Sequence, residues 1–240
     1  MLVASPETAK QIAQNWRRVS AEVAEAAMQA GRAADEILIV GVSKYVEVDL
    51  AAQLFDAGCT SLGENRPQNL WGKADQFMRD DRKATWHLIG HLQRNKIRRS
   101  LPYIGWLHSL DSLRLATALS EEAVVAGVQL NLLLEINVTQ DVSKTGLPKA
   151  DLMQVAEQIV ALPNIHLRGL MAMCSLESAS EVARREFAEV REIRDTLQAV
   201  LGSQVKLDQL SMGMSGDFRE AIAEGSTMLR IGSSLFAGVM

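Results

Sequence analysis

Eight short apolar runs, each followed by a longer segment with helical spacing, constrain this chain more than any other feature. The runs lie at 37–43, 60–63, 85–90, 106–110, 130–138, 166–173, 207–212 and 228–236. Several are apolar without alternation, the pattern of parallel strands covered on both faces. Helical spacing is clearest at 180–201, where Phe187, Val190, Ile193, Leu197, Val200 and Leu201 share one face. It recurs at 149–162, where Leu152, Val155, Ile159 and Leu162 do so before Pro163. Eight units in 240 residues leave roughly 30 residues each, the scale of an α/β fold closed as a single (β/α)8 TIM-type barrel. A doubly wound open sheet competes, but no GxGxxG phosphate loop supports it. An extra helix is expected at 5–30, with Ser5 as N-cap and Pro6 at its first position. No linker, low-complexity stretch or longer repeat divides the chain, so residues 1–240 read as one domain.

Composition narrows the partners. The net charge of −4 argues against a nucleic-acid or membrane-surface protein. Four basic residues at Arg94, Lys96, Arg98 and Arg99 have no interleaved aromatics and read as a solvated helix face. Only Cys59 and Cys174 are present, without CxxC, so neither a disulfide framework nor a zinc ribbon is indicated. No segment resembles a signal peptide or approaches a membrane span, and a reducing cytoplasm is the expected location.

In such barrels the functional groups stand at the C-terminal ends of the strands. Here that rim collects Lys44, Asn65, His87, His108, Asn137, and the stretches 211–213 and 232–234, which begin with Ser211 and Gly232, but no carboxylate pair or metal-ligand cluster. His87 and His91 lie four apart, yet one is in a strand and Gly90 intervenes, so His87 is expected to pack and hydrogen-bond rather than bind zinc. Lys44 poses the sharper question, because it ends the most apolar early run, ILIVGVSKYV. An ammonium there is costly unless it is paired, neutralised or used covalently. For an arbitrary protein it would be the first exposed residue after a buried strand.

The loops after the last two strands answer it in part. LSMGMSGD (210–217) and RIGSS (230–234) suit a phosphate site built of backbone N–H groups, with Ser211, Ser215 or Ser233 as hydroxyl donors, although they also suit ordinary turns. An amine across the mouth from a phosphate site suits a phosphorylated aldehyde, of which pyridoxal phosphate is the commonest cofactor. Arg230 stands two residues before Gly232 and so projects to the same side of the strand.

These residues carry a resemblance. VSK (42–44), GEN (63–65), WHLIGHLQRNK (86–96), HSLD (108–111), SKTGL (143–147), LSMGMSGDF (210–218) and STMLRIGSSLF (226–236) are similar, in order and over nearly the whole chain, to the pyridoxal-phosphate homeostasis proteins (the YggS-like family). These in turn resemble the barrel domain of alanine racemases. The resemblance implies pyridoxal 5'-phosphate as cofactor, held by Lys44 as a Schiff base, with burial lowering the amine's pKa. It implies Ser211 and the backbone at Gly232 and Ser233 at the phosphate, Arg230 facing the pyridine nitrogen, and Asn65 beside the ring. Ser233 replaces a frequent Thr and keeps the hydroxyl, and the ending 237–240 departs from the relatives' pattern.

Two functions then compete: a protein of vitamin B6 homeostasis that stores or delivers the cofactor without substantial catalysis, and an amino-acid racemase or related carbanion enzyme. Racemases of this type carry a further β domain and a tyrosine opposed to the lysine. This sequence ends four residues after Phe236 and has only Tyr45 and Tyr103. With one base and no opposed acid, the homeostasis role is the expectation, with no catalytic residue assigned. Pyridoxal-phosphate-dependent apoenzymes are the partners such a role implies, and a monomer is expected. Lys144 is a second candidate amine, Cys174 a small buried hydrophobe, and the methionines at 171–173 and 212–214 gap-fillers around a ring.

Overall fold

The computed structural model describes residues 5–139, 145–174, 180–203 and 205–239. It opens with α1 (Pro6–Gln29), capped by Ser5, whose Oγ accepts from the Thr8 N–H at 3.2 Å. Then follow β1 (Leu38–Val42), α2 (Val48–Asp56), β2 (Ser61–Glu64), α3 (Pro67–Arg79), β3 (Thr85–Leu88), the short α4 (Ile97–Ser100) and β4 (Ile104–Leu110). The second half contributes α5 (Leu113–Ala126), β5 (Leu130–Glu135), α6 (Leu152–Val160), β6 (Ile165–Met171), α7 (Ser180–Leu201), β7 (Gln209–Ser211), α8 (Phe218–Ala223) and β8 (Met228–Ile231). All eight strands are parallel and close as β1 through β8, with β8 pairing β1 at Val40–Arg230 and Gly41–Ile231.

The expected barrel is therefore present, but its strands are shorter than the apolar runs. The eighth run continues through Leu235 and Phe236, both buried, although β8 stops at Ile231. Apolarity there reports burial in a packed loop, not strand pairing. In α7 the packed face runs from Ala183 to Leu197, and Val200, expected on it, is 56% exposed in the last turn.

Nearly all the apolar core lies between strands and helices. Inside the barrel, Leu133, Met171 and Met228 form a separate apolar cluster, with Trp106 packed on it. The buried polar side chains of His87, His108, Ser211 and Arg230 form a connected chain from β3 and β4 to β7 and β8. The extra helix also has a local task. Asn15 Nδ2 donates to the carbonyls of Leu235 and Ala237 at 3.1 and 2.9 Å, and Arg18 Nη2 to that of Ser234 at 3.1 Å, so α1 holds the segment after β8.

Candidate functional site

A cavity of about 490 Å3 opens at the C-terminal rim of the barrel. Its lining brings together Lys44 and Tyr45 after β1, Asn65 after β2, Met214, Ser215 and Gly216 after β7, Arg230 on β8, and Gly232 and Ser233 beyond it. Five of the six residues expected from sequence therefore meet at one site.

Lys44 lies two residues past the end of β1 and is half-buried, not buried. Its Nζ sits 4.8 Å from the centroid of the Tyr45 ring, a cation–π contact, and Tyr45 is 79% exposed. Direction rather than burial thus sets Lys44 apart, which corrects the expectation that an apolar strand end keeps its amine from water. Asn65 is pressed from the next turn, since a Cβ on Gly90 would fall 2.3 Å from the Asn65 carbonyl oxygen. Ser109 Oγ donates to the Gly90 carbonyl at 2.7 Å and fixes that turn in its place.

Arg230 is 5% exposed and heavily engaged. Its Nη1 donates to the carbonyl and Oγ of Ser211 at 2.6 and 2.8 Å, and Nη2 to the Ala172 carbonyl at 2.9 Å. Burial pulls its pKa down to about 10, opposed by the charges of Asp217 and Glu135, so the guanidinium is still charged at neutral pH. These hydrogen bonds use the two terminal nitrogens, and the side chain borders the cavity.

Ser211 departs from expectation. It is fully buried at the end of β7, its Oγ 2.8 Å from His108 Nδ1 as well as from Arg230, and it does not line the cavity. Being the last strand residue, with its side chain turned into the barrel, it braces the arginine. The hydroxyls that border the cavity belong to Ser215 and Ser233. His108 Nε2 lies 2.9 Å from His87 Nδ1, and the His87 ring stacks on Trp106 with centroids 6.1 Å apart and planes 2° from parallel. Burial lowers His87 to about 3, and burial together with His87 and Arg230 holds His108 well below its ordinary range, so both rings are neutral. His87 therefore packs and hydrogen-bonds, as expected.

The loops after β7 and β8 present backbone. Gly213 has φ +94°, a conformation that L side chains rarely adopt, and it turns the chain out of β7. The loop is then braced by Asp217 Oδ1, which accepts from the Met214 N–H at 2.5 Å. A Cβ on Gly216 would meet nothing within 4 Å, and one on Gly232 would make only ordinary contacts with Val42. Among the described residues none accepts a hydrogen bond from the N–H groups of Ser215, Gly216 or Ser233. An anion with several oxygens fits such a cradle.

Other residues named from sequence lie apart. Arg94, Arg98 and Arg99 are exposed, with Arg99 over the Trp71 ring at 4.2 Å. Cys174 is buried, its Sγ 3.6 Å from the Ala183 carbonyl, and Met173 and Met214 line the cavity. Lys144 lies outside the described residues. Sequence reasoning missed Lys73, which pairs with Glu64 just behind Lys44. A signal was available: on a helix Lys73 shares the face of Leu70, Ala74 and Phe77, where a charge needs a partner.

Comparison with known proteins identifies the family. The family model "Alanine racemase, N-terminal domain" matches residues 8–239. The chain is 38% identical over 225 residues to the pyridoxal phosphate homeostasis protein of Pseudomonas aeruginosa, covering 94% of each. It is 36% identical over 226 residues to that of Escherichia coli K12, covering 94% of this chain and 95% of the relative. Among solved structures, PipY of Synechococcus elongatus PCC7942 with pyridoxal phosphate bound superposes with a TM-score of 0.85 at 31% identity, covering 94% of this chain and all of that one.

Proposed function

The chain belongs to the alanine racemase N-terminal domain family and, within it, to the pyridoxal phosphate homeostasis proteins, and on that premise we propose how its own residues serve that role. It binds pyridoxal 5'-phosphate and acts in vitamin B6 homeostasis. The observation that carries the assignment of the site is the meeting, in one rim cavity, of an amine, a buried guanidinium and two loops of open backbone. Lys44 would be the attachment point, Arg230 would face the ring nitrogen, and the N–H groups of 215–216 and 232–233 would hold the phosphate. Asn65 borders the ring, and Ser211 acts on it only through Arg230. When bound, the cofactor supplies an aldehyde that a primary amine takes up with loss of water.

A guanidinium at Arg230 keeps its proton at neutral pH, so it would hold the ring nitrogen unprotonated and leave the ring a poor electron sink. Tyr103 donates to Asp75 Oδ1 at 2.7 Å and lies away from the cavity, and Tyr45 adjoins Lys44 rather than opposing it. The homeostasis role thus proceeds without catalysis at enzyme-like rates, by a cytoplasmic monomer that passes the cofactor to apoenzymes. Among the described residues no helix is long and apolar enough to cross a membrane.

The test is spectroscopic. Purified protein should be yellow with bound cofactor, and borohydride should fix the label on the Lys44 peptide. Lys44→Ala should abolish the reducible species and leave the circular dichroism unchanged. Label found mainly on Lys144 would overturn the assignment. Incubation with L-alanine in deuterium oxide tests the racemase alternative: Lys44-dependent α-deuterium incorporation at about 1 per second or faster would lie in the enzyme range and overturn the non-catalytic reading.

A further inference from the structure

A buried ion pair stands behind the end of β1, and none of the chemistry above uses it. Glu64, the last residue of β2, is fully buried, and Lys73 on α3 is 8% exposed. Their Nζ–Oε1 distance is 2.6 Å. The same Nζ donates to the backbone carbonyl of Ser43 at 2.7 Å, and Ser43 Oγ donates to the same Glu64 oxygen at 2.7 Å. The Ser43 N–H donates to the Gly63 carbonyl at 3.0 Å. The carbonyl, hydroxyl and N–H of the residue immediately before Lys44 are thus all engaged.

Stability alone does not explain the pair. Taking two charges out of water costs as much as their attraction returns, and an apolar pair of similar volume often serves the fold as well. The same face of α3 already packs through Leu70, Ala74 and Phe77. What an apolar pair cannot do is bind a particular carbonyl and a particular hydroxyl.

Side-chain alternation makes that binding consequential. Gly41 faces the helices, where a Cβ would meet Cys59 Sγ and Leu54 Cδ2. Val42 lines the cavity, Ser43 turns back to Glu64, and Lys44 lines the cavity again. A shift of one residue at this strand end would exchange the two sets and send Lys44 toward the helices.

We propose that Glu64 and Lys73 are positioning residues for Lys44: by holding Ser43 against the outer layer they aim the lysine into the cavity. The proposal rests on the cofactor reading and concerns attachment, not the phosphate. The experiment compares two ligands on the full chain: pyridoxal phosphate, which can link to an amine, and pyridoxine 5'-phosphate, whose alcohol cannot. Lys73→Met combined with Glu64→Gln removes both charges at similar volume, so no lone charge is left buried. Affinity for pyridoxal phosphate, and the rate at which borohydride traps label on Lys44, should fall about 100-fold, as for a reacting group misplaced by an ångström. Affinity for pyridoxine phosphate should change less than about threefold, and the melting temperature should remain cooperative. Ser43→Ala carries the same test with the charges untouched, and should give the same selectivity at roughly two- to tenfold. Equal loss for both ligands would make the pair merely structural, and no loss for either would also overturn the proposal. A wild-type chain that binds neither ligand would instead overturn the cofactor reading, and the proposal with it.

Discussion

The two sides of the cavity are built on opposite plans. On the side of β1 to β4 the rim turns are tied to one another through directional contacts. Ser43 is bound to Gly63 and Glu64, the Ile89 N–H donates to the Glu64 carbonyl at 2.9 Å, Gly90 abuts Asn65, and Ser109 holds Gly90. On the side of β7 and β8 the chain offers glycine backbone at Gly216 and Gly232, and among the described residues none accepts from the N–H groups of Ser215, Gly216 or Ser233. An amine at the tip of a four-carbon side chain reacts at one atom and must be aimed, so its neighbours are specific. A phosphate presents several equivalent oxygens and needs only to be surrounded, so the side chains beside it matter little and the absence of one matters more.

The largest effect should come from filling the backbone side. Gly232→Phe should weaken pyridoxal phosphate by about 100-fold or more, because a bulky side chain blocks close approach, while pyridoxal, lacking the phosphate, loses far less. Equal affinity of the wild type for the two ligands would show that no phosphate cradle exists and end the contrast.

Next comes the directional side. Gly90→Ala forces a Cβ against the Asn65 backbone, and overpacking of this kind costs about 1–3 kcal/mol in unfolding free energy, measurable with urea. A loss below about 0.5 kcal/mol, within the range of ordinary surface changes, would mean that these turns are as yielding as the loops opposite.

The polar chain from His87 through His108 and Ser211 to Arg230 joins the two sides, and it makes their union sensitive to acid. Both imidazoles are neutral in the fold, whereas in the unfolded chain they take up protons near 6.5. Between that value and about 3 the unfolded state binds the extra proton, so stability that is complete above pH 6.5 is lost as pH falls. For His87 the slope approaches about 1.4 kcal/mol per pH unit once pH is well below 6.5. Urea titrations at pH 7.5, 6 and 5 should show this, and His87→Phe should flatten part of it. A wild-type profile already flat over that range would break the link. The smallest effect is at the phosphate hydroxyl: Ser233→Ala should reduce affinity for pyridoxal phosphate only two- to tenfold by equilibrium titration, the worth of roughly one hydrogen bond beside several backbone donors.

The architecture was legible because it follows from periodicity. Eight apolar runs separated by helix-spaced segments have few ways to bury both faces of each strand, and closure is one of them. The glycines and serines of 210–217 and 230–234 mark the loops proposed as the cradle, since backbone approach leaves a compositional trace. Ser211 was placed wrongly within its motif, because the sequence shows a hydroxyl but not which side of the last strand residue it occupies. Lys73 was missed for a related reason: a lysine on an apolar helix face reads as an exception until its partner, nine residues earlier on a strand, is seen beside it.

By itself, then, the sequence determined the barrel and which residues stand at its C-terminal rim, Lys44 and Arg230 among them, as consequences of local pattern and strand order. Only the tertiary structure decided how those groups are held. It made Lys44 half-buried rather than buried, set Ser211 beneath Arg230, and filled the barrel with a line of neutral histidines. Each of these depends on contacts between strands and helices far apart in the chain, such as His108 with Ser211 across 103 residues, and no local pattern encodes the distance or the partner.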